Sequence, residues 1–235
     1  MLDDAGALRF AAERNAQGLR LKALGRFNAA RAEYGRALAA IQASPTRHRQ
    51  AEAALCHNLG GIEFALGRYC QAESFARLGL ALRREDPSSL PSEIAADLNA
   101  LAAILEALGR LPDAEAMYCE ALAALDHPPG DSAVEVAVAL NGLATIAANR
   151  GQLERATALL RHSLLLRRRA LGVRHGDLAV VLNNLGVVFR RRGMCREAEA
   201  SYLEAFDILS GLIPSDHPHL LAIRSNLERC HARTS

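Results

Sequence analysis

Asparagine side chains recur at a fixed interval in this sequence and could bind the backbone of a peptide. Two adjacent columns, each spaced by 42 residues, hold them: Asn15, His57, Asn99, Asn141, Asn183 and Ser225, then Ala16, Asn58, Ala100, Gly142, Asn184 and Asn226. An asparagine amide carries two N–H donors and one carbonyl acceptor. A row of such amides can therefore pair with the N–H and C=O groups of an extended chain without reading its side chains.

Patterns for catalysis or metal binding are weak by comparison. The sequence has no Gly-rich phosphate loop, no GxSxG, no HExxH and no repeated carboxylate pair. His217 and His219 flank a proline and supply two ligands without an evident third. Five cysteines without a closely spaced pair indicate free thiols, not a disulfide framework or a zinc site. We therefore predict no enzyme activity, no cofactor and no bound metal.

Charge is distributed unevenly along the chain. From Arg150 onward there are 14 basic and 8 acidic residues, a net charge of +6, while the residues before it carry a net charge of −4. Two arginine runs, at residues 167–169 and 190–192, supply much of the excess. Three consecutive helical residues cannot all face one partner, and exposed aromatic residues between the basic ones are lacking. We predict no nucleic-acid binding, and expect an acidic protein or peptide to approach the C-terminal repeats.

The elements that position the asparagines repeat with the same period. A shift of 42 residues aligns five glycines, and an alanine follows each of them five positions later. The aligned residues are Gly25, Gly67, Gly109, Gly151 and Gly193, with Ala30, Ala72, Ala114, Ala156 and Ala198. Apolar residues spaced by three and four, as at residues 178–189, predict an amphipathic helix before each glycine. A left-handed glycine would end that helix, and the alanine belongs to a second helix packed on it.

Each unit is therefore predicted to be a helical hairpin, separated from the next by a loop. The loops are Ser44-Pro45, Asp86-Pro87 to Leu90-Pro91, His127-Pro128-Pro129-Gly130, Gly172 to Gly176, and Pro214 to Pro218. Four side chains are placed to cap the following helices: Ser92, Asp131, Asp177 and Asp216. A last helix, from Pro218 to about Arg233, would cover the end of the array with Leu220, Leu221, Ile223 and Leu227 turned inward.

The order of these columns resembles the tetratricopeptide repeat. In the later units, leucine and a small residue precede the turn glycine, and Tyr118 and Tyr202 follow it at the aromatic position. The 42-residue period and the segment LNNLG at residues 182–186 look like the kinesin light chain subclass. So does the DHP motif in two loops, at Asp216-His217-Pro218 and at Asp126-His127-Pro128.

This resemblance implies an all-α fold, an α-solenoid of helix-turn-helix hairpins that forms a right-handed superhelix. A single array would span the chain, with repeats at about residues 8–47, 50–91, 92–131, 132–174 and 176–216, and a capping helix at 217–235.

In proteins with this repeat, the first helix of each hairpin lines the concave groove. By resemblance, the groove residues are Asn58, Asn99, Asn141, Asn183, Asn184, Val187, Arg190, Arg191, Asn226 and Arg229. For Asn99, Asn141 and Asn183 a second interpretation stays open, in which the amides hold neighbouring helices together. Val180 and its equivalents are alanine or valine where carboxylate-binding relatives have a basic residue. The resemblance therefore favours an extended peptide with apolar side chains.

Three functional classes are compatible with these features. The first is a non-enzymatic scaffold that binds an extended peptide or a partner protein in the groove. The second is a structural or assembly subunit that uses its convex face or its ends, and the third is a regulatory subunit of a separately encoded enzyme.

No signal peptide or membrane span is evident in the sequence. We therefore expect a cytoplasmic protein without a membrane partner.

Overall fold

The computed structural model describes residues 3–125 and 132–231, which confirm the predicted all-α fold. Within those ranges there are eleven α-helices and no β-strand. The helices are α1 (Asp4–Ala23), α2 (Phe27–Gln42), α3 (Arg49–Ala65), α4 (Tyr69–Glu85), α5 (Pro91–Ala107), α6 (Leu111–Ala124), α7 (Ala133–Asn149), α8 (Leu153–Leu171), α9 (Gly176–Arg191), α10 (Cys195–Ser210) and α11 (Pro218–His231). The predicted loop His127 to Gly130, its DHP motif that begins at Asp126, and the cap Asp131 lie outside the described residues.

The helices pair as predicted, and they divide into two compact units. In the first unit, α1 to α6 form three hairpins, with α2 packed on α3 and α4 packed on α5. In the second unit, α7 to α10 form two hairpins, with α8 packed on α9, and α11 packs against α10. No helix of the described ranges combines the length and the apolar character that crossing a bilayer requires. The right-handed superhelix and the exact repeat boundaries stay predictions.

The turn inside each hairpin is closed by the predicted glycine. All five aligned glycines have a positive φ, from 68° at Gly25 to 79° at Gly151. In the last of these turns the N–H of Gly193 donates to the carbonyl of Arg190 at 3.2 Å, and the next N–H donates to that of Phe189 at 2.9 Å. A left-handed residue ends a helix with the least strain when it has no Cβ. The glycine column therefore fixes where each first helix stops.

Contacts within the hairpins alternate between large and small residues. Tyr34 and Tyr202 are fully buried and Tyr118 is 3% exposed, whereas the hairpins between them carry Ala76 and Leu160 at the same position. The tyrosine rings of the first and last hairpins lie directly over a glycine, Gly18 in α1 and Gly186 in α9. Tyrosine therefore recurs at this position in every second hairpin, at an interval of 84 residues.

Helix capping differs from the prediction. Ser92 lies inside α5, which begins at Pro91, and the Glu93 carboxylate accepts a hydrogen bond from the Leu90 N–H at 3.1 Å. At α9, Nδ1 of His175 accepts from the Asp177 N–H at 3.2 Å. At α11, Nδ1 of His217 accepts from the His219 N–H at 3.2 Å. Imidazole nitrogens thus fill the roles expected of Asp177 and Asp216, because α9 already begins at Gly176, one residue before Asp177, and because His217, not Asp216, directly precedes Pro218 at the start of α11.

One residue of the last helix was assigned to the wrong face. Leu220 and Ile223 are each 2% exposed and Leu227 is partly buried, but Leu221 is 47% exposed. Successive helical residues are about 100° apart, so a stripe that includes 220, 223 and 227 excludes 221. In the fourth hairpin, Ser163 stands where the other hairpins have alanine or glycine, and its hydroxyl donates to the Ala137 carbonyl at 2.7 Å.

Candidate functional site

The asparagines of the two columns bond to one another between consecutive first helices. In the first unit, Nδ2 of Asn58 donates to Oδ1 of Asn15 at 2.9 Å. In the second unit, Nδ2 of Asn184 donates to Oδ1 of Asn141 at 3.1 Å, and Nδ2 of Asn226 donates to Oδ1 of Asn183 at 3.0 Å. All of these side chains are half-buried. The three bonds join α1 to α3, α7 to α9 and α9 to α11 at the same height along the helices.

This pairing follows from the offset between neighbouring hairpins. The donor of each bond lies 43 residues after the acceptor, one position more than the repeat period. An adjacent first helix is therefore displaced by one residue, so the second asparagine column of one repeat meets the first column of the repeat before it. Each amide in such a pair uses one of its two N–H groups or its carbonyl, and keeps further hydrogen-bonding capacity for a ligand.

Between α3 and α5 a charged cluster takes the place of the amide pair. His57 Nδ1 lies 2.6 Å from Oδ1 of Asp97, and the other carboxylate oxygen accepts from Nε of Arg83 at 2.7 Å. Arg83 also pairs with Glu93 at 2.9 Å. The Asp97 and Arg83 side chains are only 2% and 8% exposed. This cluster links α3, α4 and α5 through one buried carboxylate.

Neither Asp97 nor Arg83 was predicted, although the aligned columns contain a signal. The residues that align with Asp97 in other repeats include Leu55, Ala139 and Val181, and all three of them are buried. A charged residue in an apolar column indicates a buried partner, because an isolated buried charge costs several kcal/mol. The aligned sequence does not show which residue pairs with Asp97.

Asn99 is not part of the accessible surface. Its side chain is 4% exposed and lies in α5 beside the buried Asp97 and Leu98. The groove position predicted for it is therefore incorrect, and of the two interpretations only a role within the stack fits this burial. Two nearby residues of α5, Ala96 and Ala100, are half-buried but carry no amide that could bind a ligand.

Three of the predicted groove residues line one pocket in the second unit. Asn184, Val187 and Arg191 lie along one side of α9, at a pocket of about 90 Å³ between α7, α8 and α9. Five apolar residues form most of its wall: Ala144, Ala148, Leu160, Val187 and Val188. Thr145 and Asn149 of α7 complete the polar rim. The pocket therefore combines a small apolar interior with amide, hydroxyl and guanidinium groups at its edge.

The arginines of the run at 190–192 face different surroundings. Arg191 is exposed at the pocket rim and forms no ion pair within the part of the chain that the structure describes. Arg192 donates to the Thr157 hydroxyl at 3.1 Å and pairs with Glu154 at 3.2 Å. Arg190 is half-buried close to Tyr202, where burial raises the pKa of the phenol and the guanidinium opposes that rise. Only Arg191 of the three is thus available at the pocket.

The two remaining predicted residues lie on α11. Asn226 is half-buried and bonded to Asn183, and Arg229 is exposed within electrostatic reach of Tyr202. Val180, one turn before Asn184 on α9, is 47% exposed. The accessible stripe of α9 thus runs from Val180 through Asn184 and Val187 to Arg191.

Comparisons with known proteins identify the same repeat. Residues 135–211, from α7 to the end of α10, match the profile of the tetratricopeptide repeat family. No significant match exists among curated proteins. The crystal structure of BtubC (BKLC) from P. vanneervenii superposes with a TM-score of 0.65 at 24% identity, over 91% of this chain and 93% of that one.

Two further solved structures share the fold. Kinesin light chain-like repeats from Podosopora anserina give a TM-score of 0.61 at 18% identity, over 80% of this chain and 89% of theirs. The Rap conjugation gene regulator of the plasmid pLS20, in complex with the Phr* peptide, gives 0.76 at 15% identity. That comparison covers 94% of this chain but only 61% of the regulator.

Proposed function

We propose that this chain, whose residues 135–211 match the tetratricopeptide repeat family, is a non-enzymatic scaffold that binds an extended peptide segment of a partner protein. The proposed site is the accessible stripe of α9, with the pocket between α7, α8 and α9 and with Asn226 of the neighbouring α11. The single observation that carries the proposal is that Asn184, Val187 and Arg191 line the same pocket. The Rap regulator, which has this fold, has been solved with a bound peptide.

The pocket determines which side chain a bound peptide would insert. An apolar cavity of about 150 Å³ admits benzene, so a pocket of 90 Å³ suits a shorter aliphatic side chain. Its wall of alanine, leucine and valine offers no hydrogen bond. The amide of Asn184 lies at the rim, where it can pair with the peptide backbone on either side of the inserted residue.

Charge favours an acidic residue next to that side chain. Arg191 has no carboxylate partner among the described residues and is exposed at the pocket rim. The chain from Arg150 onward carries a net charge of +6. A guanidinium that gains a carboxylate forms charge-assisted hydrogen bonds. The preferred peptide therefore has a small aliphatic residue followed or preceded by aspartate or glutamate.

Replacing both Asn184 and Asn226 with alanine tests this site. We expect the double variant to bind a peptide selected on the wild-type chain about 10- to 100-fold more weakly, since two hydrogen bonds of about 1 kcal/mol each are lost. The measurement is isothermal titration calorimetry with one peptide obtained from a random library. The unfolding midpoint should fall only slightly, because each substitution also removes one bond between helices.

A matched variant separates binding from stacking. Asn141→Ala with Asn183→Ala breaks the same two interhelical hydrogen bonds from their acceptor side but leaves Asn184 and Asn226 in place. If the amides of Asn184 and Asn226 contact the peptide, this variant keeps much more of the affinity at a similar loss of stability. Equal loss of affinity in both variants would show that the bonds matter only for the helix stack.

A further inference from the structure

A second cavity lies in the first unit, away from the asparagines. It has a volume of about 460 Å³ and opens between α4, α5 and α6. Leu80, Leu101, Leu105 and Met117 form its apolar floor. This volume falls within the range of about 300–1,000 Å³ that is usual for ligand sites. No residue of the accessible stripe of α9 lines this cavity.

Two residues that line the cavity, Leu105 and Met117, align with aromatic residues of other repeats. Eighty-four residues after Leu105, the second unit has Phe189, which is 5% exposed and belongs to the core there. Forty-two residues before Met117 stands Phe75, which packs on the core of the first unit. Leucine is shorter than phenylalanine, and methionine has no ring. The first unit therefore has space for an aromatic ring at this position, whereas the second unit fills the equivalent space with its own Phe189.

Arg77, which lies at the mouth of the cavity, can stack over the face of an aromatic ring. In the second unit, the guanidinium carbon of Arg161 lies 5.6 Å from the centroid of the Phe189 ring. Arg77, which lines the cavity, occupies the same register 84 residues earlier. A guanidinium over an aromatic face is attracted by the negative charge of the π cloud. Arg77 is therefore placed to form a cation–π interaction with a bound aromatic ring.

The rim carries no surplus charge for an anion. Arg77 and Arg110 both pair with Glu73 at 2.7 Å, and Arg110 also pairs with Asp113 at 2.6 Å. Arg84, the third arginine of the rim, pairs with Glu120. Each guanidinium thus has a carboxylate, and the group in the cavity need not be charged. Exposed pairs of this kind contribute about 0–1 kcal/mol each, so they can rearrange around a bound group at little cost.

We propose that this cavity binds an aromatic ring, carried by a phenylalanine side chain of a partner protein, with Arg77 stacked over the ring. The bound ring would occupy the place that Phe189 fills in the second unit. The site gives the protein a second point of attachment that does not depend on the asparagines, so the two sites can be tested separately.

Methionine methyl groups report directly on the cavity. The chain has three methionines, of which Met117 lines the cavity and Met194 packs on the core of the second unit. With the methyl groups labelled with ¹³C, N-acetyl-L-phenylalanine amide is titrated into the full chain. We expect a saturable upfield shift of the Met117 resonance, caused by the ring, and no shift of Met194. Absence of a Met117 shift, or equal shifts of both resonances, would overturn the proposal.

Two control probes test the chemistry of the occupant. N-acetyl-L-leucine amide should produce at most a tenth of the occupancy at equal concentration, because it cannot stack beneath a guanidinium. If it binds as well as the phenylalanine probe, recognition of an aromatic ring is wrong. 3-Phenylpropionate carries the same ring with a carboxylate. If it binds more tightly than the amide, the site selects a small aromatic anion and the assignment to a protein side chain is overturned.

Two variants close the cavity in different ways. Leu105→Phe copies Phe189 and should abolish the Met117 shift while the unfolding midpoint stays equal or rises. Ala116→Phe adds a ring from an exposed position at the cavity wall, where folding is not at risk, and should also abolish the shift. Leu105→Ile, which conserves volume, should retain it. A Met117 shift that persists in folded Leu105→Phe or Ala116→Phe protein would contradict the proposed location.

Discussion

Replacing Asp97 with alanine is expected to destabilise the protein by about 3 kcal/mol, the largest effect of any single substitution considered. The carboxylate is 2% exposed and accepts a bond from Arg83 at 2.7 Å. Its removal leaves a guanidinium that is 8% exposed without its closest partner. Breaking a buried pair costs about 3–5 kcal/mol, and we expect the lower end because Glu93 still pairs with Arg83. Urea denaturation followed by circular dichroism measures the loss.

The control for this prediction removes both charges together. Leucine at both Arg83 and Asp97 restores the apolar character that Ile41, Leu209 and Leu55 give to the same columns. Replacing a buried ion pair by apolar residues of similar volume is often neutral or stabilising, so the double variant should unfold at or above the wild-type midpoint. An unchanged midpoint in the Asp97→Ala protein would show that the cluster is more hydrated than its burial indicates.

Gly186→Ala is expected to destabilise the last hairpin by about 1–3 kcal/mol through overpacking. A Cβ at this position of α9 would lie 2.5 Å from Cε1 of Tyr202, whose ring is fully buried. Either the ring or the helix must then move. The third hairpin already places Ala102 next to Tyr118, so we expect a shifted helix and not a failure to fold. Thermal unfolding of the full chain gives the size of the effect.

Two variants distinguish this steric effect from a general response to alanine. Gly60 occupies the same register in α3, where a Cβ would lie 3.4 Å or more from its nearest neighbours because Ala76 faces it. Gly60→Ala should therefore be neutral or stabilise by about 0.5–1 kcal/mol, the usual gain from alanine inside a helix. Adding Tyr202→Leu to Gly186→Ala reproduces the Ala144 and Leu160 pair of the fourth hairpin and should recover part of the lost stability. If the leucine restores nothing, the clash is not the cause.

The repeat, its period and most of the local structure follow from the sequence alone. Five aligned glycines predicted the turns, and all five have a positive φ. The alanine and tyrosine columns predicted the hairpin interiors, where Ala30 and Tyr34 have no exposed surface. These features follow from backbone geometry and from the 3.6-residue helical period, which act over a few residues. The helix starts were less accurate, because His175 and His217 serve as caps where aspartates were expected.

Which side chains meet across repeats depends instead on how whole helices pack. Asn184 bonds to Asn141 because neighbouring first helices are displaced by one residue, and no column of the sequence shows that displacement. The Asp97 and Arg83 pair is buried because α4 packs on α5, and Asn99 is buried although the asparagines aligned with it are only half-buried. The cavity beside Leu105 exists because residues far apart in sequence leave one volume unfilled. Contacts of this kind depend on the distances between whole helices, which side-chain packing sets to within a fraction of an ångström.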